Sequence, residues 1–277
     1  MASWDPQQYE RFAEERARPF RELVARIPTT SAVAVVDLGC GPGTMTATLA
    51  ERWPDAAVLG LDSSPAMIEA AARLATPQLR FQLADAGAWR PQRGSVDVIV
   101  ANASLQWVPD HETLLPRWAA ALDDGGTLAF QVPVSTSDRS RPPADGVSTP
   151  RPVSAEMFAE VAAAGPWAAT LAGATDATGP RSASPVLPAT EYVRLLSAAG
   201  LTVDAWETTY YHVLPGDDPV YEWFKGTGLR PYLDALAGAD LEAFTSRMRQ
   251  YLRQRYPREP FGTVLPFPRL FVVAHRA

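Results

Sequence analysis

The sequence predicts an α/β protein whose core is a doubly wound, mostly parallel sheet with helices on both faces. The first observation is alternation: strand-like runs at 33–38, 56–62, 78–83, 95–101 and 126–132 interleave with helical patterns. The second is the stretch Val33-Ala-Val-Val-Asp-Leu-Gly-Cys-Gly-Pro-Gly43, an apolar run that ends in a glycine-rich turn. The third is size: 277 residues, 47% hydrophobic and 20% charged, suffice for one large core.

Each element has its own justification. Asp5-Pro6 starts an N-terminal helix over 5–27, with an N-cap followed by proline. Tyr9, Phe12, Phe20, Leu23 and Val24 form its apolar side, and the segment around Arg16, Arg18 and Pro19 should interrupt or kink it. Thr44 to Trp53 form the helix after the glycine turn. The second strand ends at Asp62, and Ser64 with Pro65 cap the next helix. The third strand runs into Ala84-Asp85-Ala86, and the fourth into Asn102-Ala-Ser-Leu-Gln-Trp107. A helix at 111–122 and the strand 126–132 follow.

The regular pattern then stops. Pro133 to Pro152 holds five prolines and four serines and reads as an exposed loop. An alanine-rich helix is expected at 154–164, a Gly/Pro/Ser/Thr-rich loop at 165–188, a helix at 189–199 and a strand at 201–213. Helices at 219–225, 231–236 and 241–255 precede a last strand at 269–274. The whole reads as a single domain, 1–277, with a lid built from inserts 134–188 and 215–265.

Composition excludes several functions. The formal net charge of −6 and a pI near 5.2 disfavour nucleic acid or an anionic membrane as partner. Lys225 is the only lysine, and Cys40, the only cysteine, reads as a small buried filler that allows no intrachain disulfide. No apolar run is long enough to span a membrane, and the N-terminus lacks a signal pattern, so a cytoplasmic protein is expected. His111 reads as an exposed helix residue and His275 as a chain-end residue. Neither a metal cluster nor a catalytic triad is visible.

The chemistry centres on the first strand end. Gly39, Gly41 and Gly43 let the backbone come close to a ligand, but Thr44 breaks the dinucleotide fingerprint. Asp37 would repel a pyrophosphate and attract a cation. Asp62 lies 19 residues past Gly43, where such folds place a carboxylate for the ribose hydroxyls. Asp85 could accept from an adenine amino group. Asn102 to Trp107 should border the reacting group, because strands one and four flank the switch point.

These residues resemble a known family. Asp37-Leu-Gly-Cys-Gly-Pro-Gly43, Asp62-Ser-Ser-Pro-Ala-Met67 and Asn102 to Trp107 resemble the motifs of class I S-adenosylmethionine (SAM)-dependent methyltransferases. Trp4-Asp-Pro, Trp206-Glu-Thr-Thr-Tyr-Tyr-His212, Thr227-Gly-Leu-Arg-Pro231 and Phe267-Pro-Arg-Leu-Phe271 narrow the resemblance to trans-aconitate 2-methyltransferases. It implies a Rossmann-like seven-stranded sheet and a SAM site formed by Asp37, Gly39, Gly41, Gly43, Asp62, Ser63, Met67, Asp85, Ala86, Asn102 and Trp107. The implied acceptor is a small polycarboxylic acid, methylated on a carboxylate to an ester. A carboxylate needs no general base and binds well to arginine. Arg230 is the first candidate and Arg18 the second, with Tyr9, Trp107, Tyr211 and His212 beside them. The departure lies at 134–188, where Val134 and Ser135 stand in place of the family's asparagine and aromatic. Two alternatives stay open: a natural-product hydroxyl, amine or carbon acceptor with His212 as base, or a non-catalytic SAM-binding protein.

Overall fold

One continuous sheet dominates the computed structural model, which describes residues 12–134, 153–176 and 186–277. Its strands are β1 (Ala34–Leu38), β2 (Ala57–Asp62), β3 (Leu79–Leu83), β4 (Val96–Asn102), β5 (Leu122–Pro133), β6 (Thr202–Leu214), β7 (Arg258–Glu259) and β8 (Gly262–His275). The order is β3-β2-β1-β4-β5-β8-β6, with the two-residue β7 pairing only with β8. Strands β1 to β5 are mutually parallel, and β8 runs antiparallel to both β5 and β6. The chain reverses direction of travel between β1 and β4. Their carboxyl ends therefore open a crevice, as expected for a doubly wound sheet.

Helices cover both faces. On one, α1 (Ala13–Ala25) and α2 (Thr44–Arg52) set Phe20, Leu23 and Leu49 against Val35, Val98, Val100, Ala129 and Phe271. The short α3 (Pro65–Ala71) starts at Ser64, whose hydroxyl accepts from the Met67 N–H at 3.5 Å. On the other face α4 (His111–Ala121) and α7 (Ala189–Ala198) pack Leu115, Trp118, Tyr192 and Leu196 onto Leu128, Phe130 and Val272. Since alternate strand residues face opposite sides, this partition fixes the side on which every site residue lies.

The remaining helices build a core of their own. These are α5 (Val153–Ala163), α6 (Ala168–Asp176), α8 (Pro219–Lys225), α9 (Arg230–Ala235) and α10 (Gly238–Arg255). Phe158, Trp167, Trp223, Phe224, Phe244 and Met248 are buried together there with Leu214 and Leu265 from the ends of β6 and β8.

Four details differ from the sequence expectation. Helix α1 runs through Pro19 without interruption, because the proline is buried beside Phe20 and tertiary packing offsets its missing N–H. Helix α6 occupies part of the expected loop 165–188. Its Gly and Thr content hides an alanine-rich turn anchored by buried Trp167 and Leu171. Strand β8 starts seven residues before Arg269, despite Pro266 and Pro268. Among the described residues both prolines pair with β6, and on the β5 side Pro268 uses the carbonyl that a proline retains, accepting from the Val134 N–H at 3.2 Å. His111 is fully buried and not exposed: its Nε2 shares a 2.7 Å hydrogen bond with the Tyr192 hydroxyl.

That hydroxyl also accepts from the Leu187 N–H at 3.3 Å, so it satisfies two buried groups between α4 and α7. Tyr192→Phe should therefore lower the unfolding free energy by about 1–3 kcal/mol, read from urea denaturation. An unchanged midpoint would show that this hydrogen bond contributes nothing net.

Candidate active site

The carboxyl edge of the sheet brings the cofactor candidates together. Asp37 pairs in register with Gly60 of β2 and Val100 of β4, so the glycine turn rises between these strand ends. Gly39, Gly41 and Gly43 all have positive φ, at 80°, 57° and 83°. A Cβ on Gly39 would collide with the Ser104 side chain, whereas one on Gly41 would meet open space. Gly41 is thus the place where a ligand can lie against bare backbone. Asp62 is half-buried, with one carboxylate oxygen accepting from the Gly41 N–H at 2.9 Å and the other from Ser64 N–H at 2.8 Å.

Asp37 is almost wholly enclosed. Its Oδ2 accepts from the Thr46 hydroxyl at 2.6 Å, but its Oδ1 is buried without a hydrogen-bond partner among the described residues. Burial, opposed by the Thr46 bond and reinforced by the charge of Asp62, pushes its carboxyl up to about 7. A positively charged ligand would relieve this. Cys40 is buried beside the two acids, and burial followed by their charges drives its thiol far up, which leaves it inert as a nucleophile.

Further along the edge, Asp85 is exposed and accepts from the Gly87 N–H at 2.8 Å in a local turn, with Ala86 next to it. The Ala84 N–H donates to the Asp62 carbonyl at 2.9 Å, which joins the ends of β2 and β3. Asn102 closes β4 and its Oδ1 accepts from Gln131 Nε2 at 2.6 Å, while Trp107 ends a 3-10 turn at Leu105–Trp107. Ser63 is exposed and Met67 buried at the start of α3.

The acceptor candidates divide differently. His212 is 8% exposed and lies on the face covered by α1. It stacks with Tyr210 at 6.0 Å and with Trp223 at 5.1 Å between ring centroids. The guanidinium of Arg18 lies 4.9 Å over Tyr210, and that of Arg16 lies 4.7 Å over Trp223. Arg269 lies 4.0 Å over Phe267, which itself touches Trp223 at 5.1 Å. An aromatic column Tyr210–His212–Trp223 thus carries an arginine at each end and a third alongside. Burial, then the charges of Arg269, Arg18 and Arg16, lower the His212 imidazole to about 4. It is neutral at pH 7.

One expectation changes here. Tyr211 is 69% exposed, because residues alternate along β6 and it faces away from Tyr210 and His212. Tyr210 is the tyrosine that faces His212, its hydroxyl donating to Glu22 at 2.6 Å. Arg230 forms an ion pair with Asp234 at 3.3 Å within α9, and Arg18 one with Glu22 at 2.9 Å. Tyr9 lies outside the described residues. Sequence reasoning passed over Arg269, Gln131 and Ser104. The positions of Arg269 and Gln131 follow from strand pairing that no local pattern reveals, although Arg269 lies inside the Phe267–Phe271 motif and Ser104 inside the Asn102–Trp107 one.

Comparison with known proteins decides the family. Residues 35–126 match the methyltransferase domain family. A trans-aconitate 2-methyltransferase of Streptomyces avermitilis is 45% identical over 283 residues, covering 100% of this chain and 98% of that one. Another, of Methylobacterium nodulans, is 46% identical over 277 residues, covering 100% and 99%. This chain belongs to the trans-aconitate 2-methyltransferase family. It is a class I SAM-dependent methyltransferase. The YcgJ protein of Bacillus subtilis shares the fold alone, with a TM-score of 0.57 at 14% identity over 94% of this chain and 98% of that one.

The residues of this methyltransferase fit SAM on their own chemistry. The orphaned Asp37 oxygen suits a ligand bearing positive charge, the open Gly41 suits close backbone approach, and the half-buried Asp62 sets a carboxylate, an acceptor suited to hydroxyls, beside that backbone. The raised carboxyl of Asp37 also has a thermodynamic signature. A folded pKa above the unfolded value makes the native state bind the proton more tightly, so this group stabilises increasingly as pH falls from 7 toward 3.8 and costs stability above 7. Asp37→Asn should therefore raise the melting temperature of the ligand-free protein at pH 8. The same change should weaken S-adenosylhomocysteine by about tenfold or more in calorimetry. Undiminished affinity would remove Asp37 from the site.

Proposed function

We propose that this enzyme methylates one carboxylate of trans-aconitate, or of a closely similar small polycarboxylic acid, to give a methyl ester. The observation that supports it best is the cluster of three guanidiniums around neutral His212, on the same sheet edge as the glycine turn. Such a cluster suits an acceptor with several negative charges. The names of the relatives agree with it.

When bound, SAM supplies an electrophilic methyl group on a sulfonium. The chain's own residues do the rest. Asp37, the bare Gly41 backbone and Asp62 would hold the cofactor, with Ser63, Met67, Asp85, Ala86, Asn102 and Trp107 around it. The arginines would align the acid. A carboxylate with an ordinary pKa near 4 is already ionised at neutral pH, so no residue has to remove a proton. An imidazole held near 4 is a poor base at that pH, which argues against a hydroxyl or amine acceptor.

We read the chain as one domain in which the two inserts, 134–188 and 215–265, form a lid. The shared core of α5, α6 and α8–α10 supports that reading, as does Trp223, which belongs to this core and stacks on His212. Closing such a layer over the site would exclude water while the charges of nucleophile and cofactor neutralise. Among the described residues no helix is long and apolar enough to cross a membrane, and the net charge of −6 disfavours nucleic acid. A cytoplasmic enzyme with a small-molecule acceptor fits both.

The test is methyl transfer from SAM to trans-aconitate, with mass spectrometry of the product. One added methyl as an ester is expected. Tight cofactor binding without any product would move the acceptor elsewhere. With both substrates saturating, kcat should stay level from pH 6 to 8; a rise through pH 6.5 would reinstate a histidine base.

A further inference from the structure

The three arginines around His212 are not equivalent. Arg18 is well exposed and paired with Glu22. Arg16 lies on helix α1 and its guanidinium donates to the Trp223 carbonyl at 3.4 Å. Arg269 is only 5% exposed and is carried by a central stretch of β8. The Phe267 ring lies flat against its guanidinium, 4.0 Å from centroid to Cζ, and fixes the plane of the fork.

Strand register places Arg269 relative to the cofactor edge. It pairs with Pro133 at the end of β5 and with Thr208 of β6. Two residues on, Phe271 pairs with Gln131, and Gln131 donates to Asn102 at the end of β4. Asp37, Asn102, Gln131 and Arg269 all share the face that α1 covers, since Val35, Val100, Ala129 and Phe271 do. The row runs from the cofactor end of the crevice to Arg269. A second group marks the same place: His212 Nε2 is buried without a hydrogen-bond partner among the described residues. A strand also holds a side chain more rigidly than the end of a short helix, where Arg230 stands.

We propose that Arg269 binds a non-reacting carboxylate of the acceptor, with His212 as its hydrogen-bonding neighbour, and so selects polycarboxylates over monocarboxylates. This rests on the polycarboxylate reading above. The fork of Arg269 supplies two donors to one carboxylate and leaves another carboxylate to reach the methyl group. The groups that face His212 are Arg16 and Arg18 from α1, Arg269 from β8, and Tyr210, which holds Glu22. Placing a carboxylate among these cations would let His212 gain a proton.

Calorimetry of trans-aconitate binding to the S-adenosylhomocysteine complex tests this in the wild type, Arg269→Lys and Arg269→Met. Arg269→Met should lose affinity for trans-aconitate on the order of 100-fold, Arg269→Lys less, and both should keep wild-type affinity for S-adenosylhomocysteine. Binding by the wild type should take up protons near pH 6, measured in buffers of different ionisation enthalpy, and Arg269→Met should abolish that uptake. In turnover, kcat/KM for trans-aconitate should fall far more in Arg269→Met than that for crotonate, a monocarboxylate. Equal affinity for trans-aconitate in all three proteins, or equal loss for both acids, overturns the assignment. If Arg269→Met fails to fold, Arg269→Lys decides, since it keeps the charge and removes the fork. A wild type that binds S-adenosylhomocysteine but no polycarboxylate sinks the functional reading itself, and this assignment with it.

Discussion

The site depends on one constraint, the backbone turn that ends β1. The Gly39 and Cys40 N–H groups both donate to the Leu61 carbonyl, at 2.7 and 3.0 Å. The Ser104 hydroxyl donates to the Leu38 carbonyl at 2.6 Å, and Gly41 N–H to Asp62. The ends of β1, β2 and β4 are thereby laced into one unit. Gly39 has to lack a Cβ here, because its φ of 80° is left-handed and Ser104 fills the space. Parallel register then leaves no freedom in depth: once the turn is placed, Asp62 and Asn102 come with it.

Around that turn the charges separate into two halves. The proposed cofactor end is acidic, with Asp37, Asp62 and Asp85, and the proposed acceptor end is cationic, with Arg16, Arg18 and Arg269. Each half distorts its own titrating group, Asp37 upward to about 7 and His212 downward to about 4. The signs of linkage oppose. His212, held below its unfolded value of 6.5, is destabilising as pH falls from 6.5 to 4, because the unfolded chain takes the proton first. Asp37 is stabilising over most of the same interval. Ligands of the charge that each half attracts would relieve both strains, which would tie complementarity of binding to the local cost of these two buried groups.

Much of the cofactor half was legible in the sequence because it is local. One strand, one turn and a carboxylate 19 residues past Gly43 constrain one another through short loops, and the strand ends fall where the pattern puts them. The acceptor half was not legible in the same way. Tyr210 and Tyr211 are neighbours in sequence, and only the parity of β6 decides which faces the site. Arg269 reaches the crevice through pairing with β5, 136 residues earlier at Pro133. His111 carried every mark of a solvated helix start, yet a partner 81 residues away holds it in the core. Pro19 likewise looked like a break, and tertiary packing overrode it.

The length of β8 ties the proposed acceptor site to the proposed lid. The strand pairs with β6 from Thr263 onward but with β5 only from Arg269 onward. Among the described residues its first part, with the matching end of β6 and the short β7, therefore extends past the end of β5 as a ribbon. Leu214 and Leu265 on that ribbon belong to the helical core, and Phe267 packs against both that core and the α1 face. Arg269 lies at the root of the ribbon and His212 along it, stacked on a tryptophan from the helical layer. A helical layer that shifted would carry Trp223 away from His212 and Arg16 together. The cationic cluster is complete only when the layer is seated, so the surfaces that would hold the acid are the same ones that would keep water from it.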